Sequence, residues 1–202
     1  MLRQIDDFII GAKTMQLCLD IKQQIQDNMV IPLNELGVIK RFNGLDIQQT
    51  RHYIKISCQT YIDKTVGHHE WQEEHTANLP IPMVNDSTYQ ANLKLSYGPD
   101  DVKEQQELET QMGFSYRQAI GELIFAMAIC RLDISPAIIK LSQYSEAPAK
   151  CHYQATKAVF TYLYATKNDG IYYWRPTLRD DLPDLALPNT IAVNSDGISY
   201  RF

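Results

Sequence analysis

Two adjacent carboxylates, Asp6 and Asp7, are the strongest candidates for a catalytic or metal-binding site in this sequence. They interrupt a largely apolar, strand-like run, and an ionised carboxylate is costly to bury without a compensating cation or donor. A turn between two short strands would bring both side chains to one small volume. Such a pair suits Mg²⁺, which takes one or two carboxylates plus substrate phosphates. A solvated Asp-Asp turn fits the same residues, so both interpretations stay open here.

The elements around this pair must position it. The first ten residues predict a strand, a turn and a second strand. Cys18, Ile21, Ile25 and Met29 then recur at helical spacing, which indicates an amphipathic helix that ends at Pro32.

A small antiparallel meander is predicted over residues 38–57. The run Val38–Phe42 leads into the turn dipeptide Asn43-Gly44, and apolar and polar residues alternate in two further short runs. A helix is expected over 58–70. From residue 76 onward Pro, Asn, Asp and Gly crowd the sequence, which predicts a loop or linker at the surface.

The segment 114–166 is the most regular part of the chain and predicts helices. Four apolar residues of the first helix share one face: Ile120, Leu123, Ile124 and Met127. Ser135-Pro136 predicts the N-cap and first turn of a second helix, and Pro148 opens a third. Three short strands are expected after them, at 171–174, 190–193 and 198–202.

The composition is that of an ordinary globular protein, with 202 residues that are 45% hydrophobic and 21% charged. The formal net charge of −5 lacks the basic surplus that polyanion-binding proteins usually show, although a local basic face is compatible with it. The cysteines are widely spaced and form no C-x-x-C motif, so we expect reduced thiols in an intracellular protein. We expect neither a signal peptide nor a membrane span.

Seven segments, in the same order and with similar spacing, together resemble the reverse transcriptase of copia-type long-terminal-repeat retrotransposons. Arg3–Ile10 is similar to that family's Y-V-D-D hairpin, although Gln4 replaces the usual aromatic residue. The six other segments are Leu36–Ile47, Ile56–Ile62, Pro80–Met83, Tyr116–Leu123, Arg131–Ile134 (where Leu132 replaces a proline) and His152–Lys157.

The resemblance implies an α+β fold: the remnant of a polymerase palm, then a helical thumb and connection, then the first strands of a ribonuclease H-like unit. We therefore expect the end of the palm, with a catalytic hairpin and a primer-grip-like meander, at 1–75. A linker would follow at 76–112, the thumb and connection at 113–174, and a connector with the ribonuclease H-like start at 175–202. The family's fingers and first catalytic aspartate would lie upstream, which predicts an N-terminally truncated fragment.

The resemblance also assigns metal-binding carboxylates. Asp6 would ligate Mg²⁺, with Asp7 as its less direct partner, in the two-metal nucleotidyl transfer of the family. Asp196 resembles the first metal-binding carboxylate of a ribonuclease H domain. The alternative for Asp196 is a simple Asp-Gly hairpin turn.

Four cations are candidates for nucleic-acid contact. Lys40 and Arg41, on the primer-grip-like meander, could meet phosphates through charge-assisted hydrogen bonds. Two solvated charges on an exposed hairpin are an equally good interpretation. Arg117 and Lys157 are candidates for contact with the template-primer backbone.

Two other groups of polar residues are expected to be structural. Arg131 and Asp133 would pair with each other or cap helix ends. The histidine-rich segment His68–His75 suggests a zinc site, but Glu73 occupies the position at which an H-E-x-x-H motif requires its second histidine. We therefore expect a solvated, polar helix end there.

Our first functional hypothesis is an incomplete RNA-directed DNA polymerase. Its family uses an RNA/DNA primer-template, deoxynucleoside triphosphates and Mg²⁺, alongside other parts of the retroelement polyprotein. This chain alone is expected to polymerise little or not at all, to reside in cytoplasmic retroelement particles or the nucleus, and to be poorly soluble because of exposed sheet edges. The alternatives are a non-catalytic nucleic-acid-binding or inert remnant and, with less support, a ribonuclease.

Overall fold

A β-hairpin and a helix come first in the chain. The computed structural model describes residues 2–4, 7–30, 32–34, 36–71, 79–185, 192–193 and 198–200. Strand β1 (Leu2–Gln4) pairs antiparallel with β2 (Asp7–Ile9). Helix α1 (Met15–Asp27) begins where the Thr14 hydroxyl accepts a hydrogen bond from the Leu17 amide. The two predicted strands and the amphipathic helix are therefore confirmed.

One antiparallel sheet organises the strands that follow. Its order is β3-β4-β5-β6-β8-β7, formed by β3 (Arg41–Phe42), β4 (Leu45–Gln49), β5 (Tyr53–Ser57), β6 (Ile171–Trp174), β7 (Ala192–Val193) and β8 (Ile198–Tyr200). The predicted meander is confirmed, although its first strand begins at Arg41 rather than Val38. Asn43 and Gly44 have φ angles of 50° and 79°, as a tight two-residue hairpin turn requires.

Helices form most of the remaining described chain. They are α2 (Gln59–His68), α3 (Ser87–Leu95), α4 (Val102–Met112), α5 (Tyr116–Ile129), α6 (Ser135–Ser142) and α7 (Lys150–Ala165), with a 3-10 turn at Leu132–Ile134. The helices predicted over 58–70 and 114–166 are confirmed. Pro136 lies in the first turn of α6, but Ile134 rather than Ser135 is the N-cap, because the 3-10 turn runs directly into the helix.

The prediction of a loop or surface linker from residue 76 onward is wrong at α3 and α4, which are helical. The aspartates that suggest turns cap these helices: Asp86 Oδ1 accepts from the Thr88 and Tyr89 amides at 2.9 and 3.0 Å, and Asp101 Oδ2 accepts from the Lys103 amide at 3.2 Å. Leu93 of α3 is fully buried. Both helices contact α7 and belong to the packed body.

The hydrophobic core lies between α2, α5, α6 and α7. Its buried members include Ile62, Val66, Trp71, Ile120, Leu123, Ile138, Leu141, Val159, Phe160 and Leu163. Trp71 packs edge-to-face against Phe114 and Phe160 at ring-centre distances of 4.8 and 5.2 Å. The predicted core position Ile124 is instead 42% exposed.

The fold is α+β, as predicted. The β5–β6 pairing joins residues of the expected palm unit to residues of the expected thumb unit in one sheet. The division of the chain into domains stays a prediction. Across the described ranges, no helix combines the length and the apolar character that a membrane crossing demands.

Candidate nucleic-acid interface

The hairpin of the predicted metal site is described only in part. Asp6 lies outside the described residues, and so does Asp196. For Asp7 the backbone is described: it opens β2 opposite Gln4. In the part of the chain with described side chains, no group of three or more His, Cys, Asp or Glu residues could hold a metal ion. The Mg²⁺ assignment and the roles of these aspartates stay predictions.

The β3–β4 hairpin presents two of the predicted cations at the edge of the large sheet. Lys40, just before β3, is exposed, and its carbonyl accepts a hydrogen bond from the Ile47 amide at 2.8 Å. Arg41 lies directly across the hairpin from Asp46 in the strand register, and its Nε is 3.3 Å from Asp46 Oδ1. Its Nη2 donates to the Thr60 hydroxyl at 3.0 Å. The Arg41 side chain remains 62% exposed, so this contact orients the cation without burying it.

Asp46 ties this hairpin to the beginning of α2. Its Oδ2 accepts a hydrogen bond from the Thr60 amide at 2.7 Å, and its Oδ1 accepts one from the Thr60 hydroxyl at 2.8 Å. The N-cap residue of α2, Cys58, makes no side-chain capping bond. Asp46 therefore satisfies a first-turn amide from a neighbouring strand and places a negative charge at the positive helix end. No sequence pattern predicts this contact between Asp46 and Thr60, although the two-residue turn at Asn43-Gly44 does place Arg41 opposite Asp46.

The turn of the hairpin rests against α5. A methyl group on Gly44 would lie 3.5 Å from Cζ of Phe125. The Phe125 ring in turn packs on the ring of Tyr61 from α2, with ring centres 4.6 Å apart. The hairpin is thus supported at both its turn and its second strand.

The two other predicted cations are engaged elsewhere. Arg117, exposed in the first turn of α5, donates from Nε to the Ser145 carbonyl at 2.8 Å. Lys157 of α7 is half-buried, and its Nζ lies 5.3 Å from the centre of the Trp71 ring, a cation–π distance. Both contacts brace helices, whereas Lys40 and Arg41 lie together on the hairpin.

Arg131 and Asp133 pair with each other, as predicted. Arg131 is 2% exposed, and its Nε and Nη2 donate to the two Asp133 oxygens at 3.0 and 2.7 Å. Its guanidinium also donates to the carbonyl and hydroxyl of Thr166 at the end of α7. Burial disfavours the charge of Arg131, but its hydrogen bond and attraction to Asp133 raise its pKa overall. Burial also opposes the charge of Asp133, yet Arg131 holds that pKa below its usual value.

His69 is not the solvated residue that we predicted at the end of α2. Its side chain is 7% exposed, its Nε2 lies 2.7 Å from Glu122 Oε2, and its ring stacks on Trp71 with centres 4.2 Å apart. Residues 72–78 of the histidine-rich segment lie outside the described residues. A cavity of about 330 Å³ adjoins this pair and is lined by His68, His69, Glu70, Gly113, Phe114, Ser115 and Gln118.

Comparison with known proteins identifies a class of relatives: homologues of the chain are retrovirus-related Pol polyproteins of copia-type transposons. The Pol polyprotein from transposon TNT 1-94 of Nicotiana tabacum is 25% identical over 86% of this chain and 12% of its own length. The putative transposon Ty5-1 protein YCL074W of Saccharomyces cerevisiae is 25% identical over 84% of the chain and 50% of its own length.

A third relative matches a shorter part. The Pol polyprotein from transposon RE1 of Arabidopsis thaliana is 42% identical over 28% of the chain, which is 4% of that polyprotein. The chain therefore spans half or less of the length of these relatives. No protein-family model matches the chain, and no solved structure matches it.

Proposed function

We propose that this chain is the C-terminal part of the reverse transcriptase region of a copia-type polyprotein, comprising the end of the palm, the thumb and the connection. In this proposal the β3–β4 hairpin contacts the phosphates of a primer-template. The exposed, pre-oriented Arg41 beside the exposed Lys40 is the observation that carries the nucleic-acid contact. Homology to transposon Pol polyproteins over most of the chain supports the wider assignment.

The chemistry of the proposed region belongs to the β1–β2 hairpin. Asp6 and Asp7 would hold Mg²⁺, which stabilises an attacking hydroxyl and a leaving pyrophosphate when it is bound. The resemblance implies three carboxylates for such a site, and only Asp6 and Asp7 are assigned to it here. We therefore infer that the 202-residue chain binds nucleic acid but extends a primer little or not at all.

Two measurements on the same preparation test this proposal. Fluorescence anisotropy with a labelled RNA/DNA primer-template is expected to give binding that weakens steeply with salt, because phosphate contacts release counterions. Primer extension with deoxynucleoside triphosphates and Mg²⁺ is expected to give no product above background. Robust extension would contradict the proposed inactivity, and absence of binding at low salt would favour an inert remnant.

Matched variants separate the hairpin contact from the rest of the surface. Replacing both Lys40 and Arg41 with Ala is expected to weaken binding and to reduce the salt dependence by about two released counterions. Asp7→Asn is expected to leave binding intact, since Asp7 is assigned to the metal rather than to the duplex. Equal loss in the hairpin variant and in Arg179→Ala, which removes a cation from the segment after β6, would show that the contact with nucleic acid is not localised to the hairpin.

A further inference from the structure

We propose that Thr60 and Asp46 are positioning residues that fix the guanidinium of Arg41 for contact with a nucleic-acid phosphate. This inference rests on the proposed function, because it explains how one part of the proposed hairpin contact works. It adds an uncharged residue, Thr60, and an acidic residue, Asp46, to an interface for which the sequence predicts only cations.

Three side chains form a closed ring of contacts at this point. Arg41 reaches Asp46 through Nε at 3.3 Å and the Thr60 hydroxyl through Nη2 at 3.0 Å. The Thr60 hydroxyl donates onward to Asp46 at 2.8 Å, and the Thr60 amide holds the second carboxylate oxygen at 2.7 Å. The flexible Arg41 side chain is therefore anchored through Nε to strand β4 and through Nη2 to the first turn of α2.

The anchored geometry leaves a phosphate-binding edge of the guanidinium available. Among the contacts described for Arg41 none uses Nη1, and the side chain is 62% exposed. A guanidinium presents a planar fork of donors that matches two phosphate oxygens. Ordering this fork before the duplex arrives removes part of the entropy cost of binding. Because the Thr60 hydroxyl accepts a hydrogen bond from Arg41 and donates one to Asp46, it sets the orientation of the Arg41 guanidinium.

Thr60→Val in the full chain is the direct test, because it keeps the shape of an exposed side chain, removes the hydroxyl and changes no charge. The dissociation constant for the labelled primer-template is expected to rise about fivefold, the change that corresponds to one side-chain hydrogen bond. Thr60→Ser keeps the hydroxyl and is expected to bind like the unaltered chain. Thr110→Val, which replaces an exposed threonine of α4, is the matched control and is expected to change nothing.

The double variant Arg41→Ala with Thr60→Val separates positioning from a merely structural role. If Thr60 acts through Arg41, the Thr60→Val change has no further effect on binding once Arg41 is gone. The Arg41→Ala change by itself is expected to lower the slope of log affinity against log salt by about one.

The outcomes of these measurements test the positioning role separately from the proposed function on which it rests. If the unaltered chain binds but Thr60→Val binds equally well, or weakens binding by the same factor with and without Arg41, the positioning role is overturned and the proposed function stands. If the unaltered chain does not bind, both are overturned. A lowered melting temperature of Thr60→Val does not decide the matter, because the comparison within the Arg41→Ala background still does.

Discussion

Residues 8–49 and the helical body differ sharply in how far their described side chains are buried. Among the described side chains from residue 8 to residue 49, none is buried. Among the described residues, the helical body instead contributes most of the buried apolar side chains, from Ile62 in α2 to Leu163 in α7. Asp6 and Asp7, the aspartates that the resemblance assigns to polymerase catalysis, come just before this stretch in the sequence.

The difference follows from the size of the elements. A hairpin of two three-residue strands is marginal in water, and an isolated 13-residue helix is marginal too. Helices α5 and α7 are of similar length, but they bury Leu123 and Val159 against each other and their neighbours. Packing rather than helical propensity therefore separates the two regions.

The largest effect is expected from Asp133→Ala in the helical body. Removing this carboxylate leaves Arg131, which is 2% exposed, without its ionic partner, at a cost of about 3–5 kcal/mol in the free energy of unfolding. Urea denaturation measures it. The control is Asp181→Ala, because Asp181 accepts the same bidentate contact from the more exposed Arg179 at 2.7 Å. A surface pair is worth much less, so similar losses in both variants would contradict the account.

Truncating apolar side chains compares the two regions directly. Leu123→Ala, at a fully packed site, is expected to lower the free energy of unfolding by about 2–4 kcal/mol through lost burial and a residual cavity. Ile25→Ala, on the half-exposed face of α1, is expected to lower it by less than about 1 kcal/mol. Equal losses would mean that α1 is as firmly packed as the body.

A smaller effect is expected from the pH response of His152. This side chain is fully buried; its Nε2 donates to the Leu93 carbonyl at 2.8 Å, and its Nδ1 accepts from the Ala149 amide at 2.9 Å. Burial lowers the pKa of His152 below its ordinary value of 6.5, an effect that the Leu93 contact only partly opposes. Below pH 6.5 the imidazole of His152 is protonated in the unfolded chain but stays neutral in the folded chain. The free energy of unfolding therefore falls as the pH drops towards the folded-state pKa of His152.

His152→Gln removes this titration. The free energy of unfolding of the unaltered chain is expected to fall between neutral pH and mildly acidic pH, and that of the variant to fall less. Urea denaturation across this range provides the comparison. Parallel pH profiles for the two proteins would show that His152 is not the source of the slope.

Sequence patterns predicted the elements whose signals are local. The Asn43-Gly44 turn located the meander, and the helical spacing of Ile120 and Leu123 located α5 and its buried face. Sequence patterns mislead where one residue type is equally typical of two local structures. Asp86 and Asp101 are typical of turns and of helix N-caps, and the helices after them have little apolar periodicity.

Of the candidate interface, the sequence predicts the charged residues but not the residues that orient them. The hairpin pattern predicts Lys40 and Arg41 as candidates, but the role proposed for Thr60 depends on its contact with Arg41, 19 positions away in the chain. His69 was misjudged for the same reason, because its partner Glu122 comes from α5. Long-range packing, which no local pattern encodes, decides such side chains.

The proposed function requires that Asp6 and Asp7 hold a divalent cation. Paramagnetic broadening by Mn²⁺ of the backbone amide resonances of the ¹⁵N-labelled chain tests it directly and detects weak binding. The account predicts that the amides of Gln4, Asp7 and Phe8 broaden first, and that this selectivity disappears in the Asp6→Asn, Asp7→Asn double variant. Broadening confined to other acidic residues such as Asp180 and Asp184, or unchanged in the double variant, would contradict it.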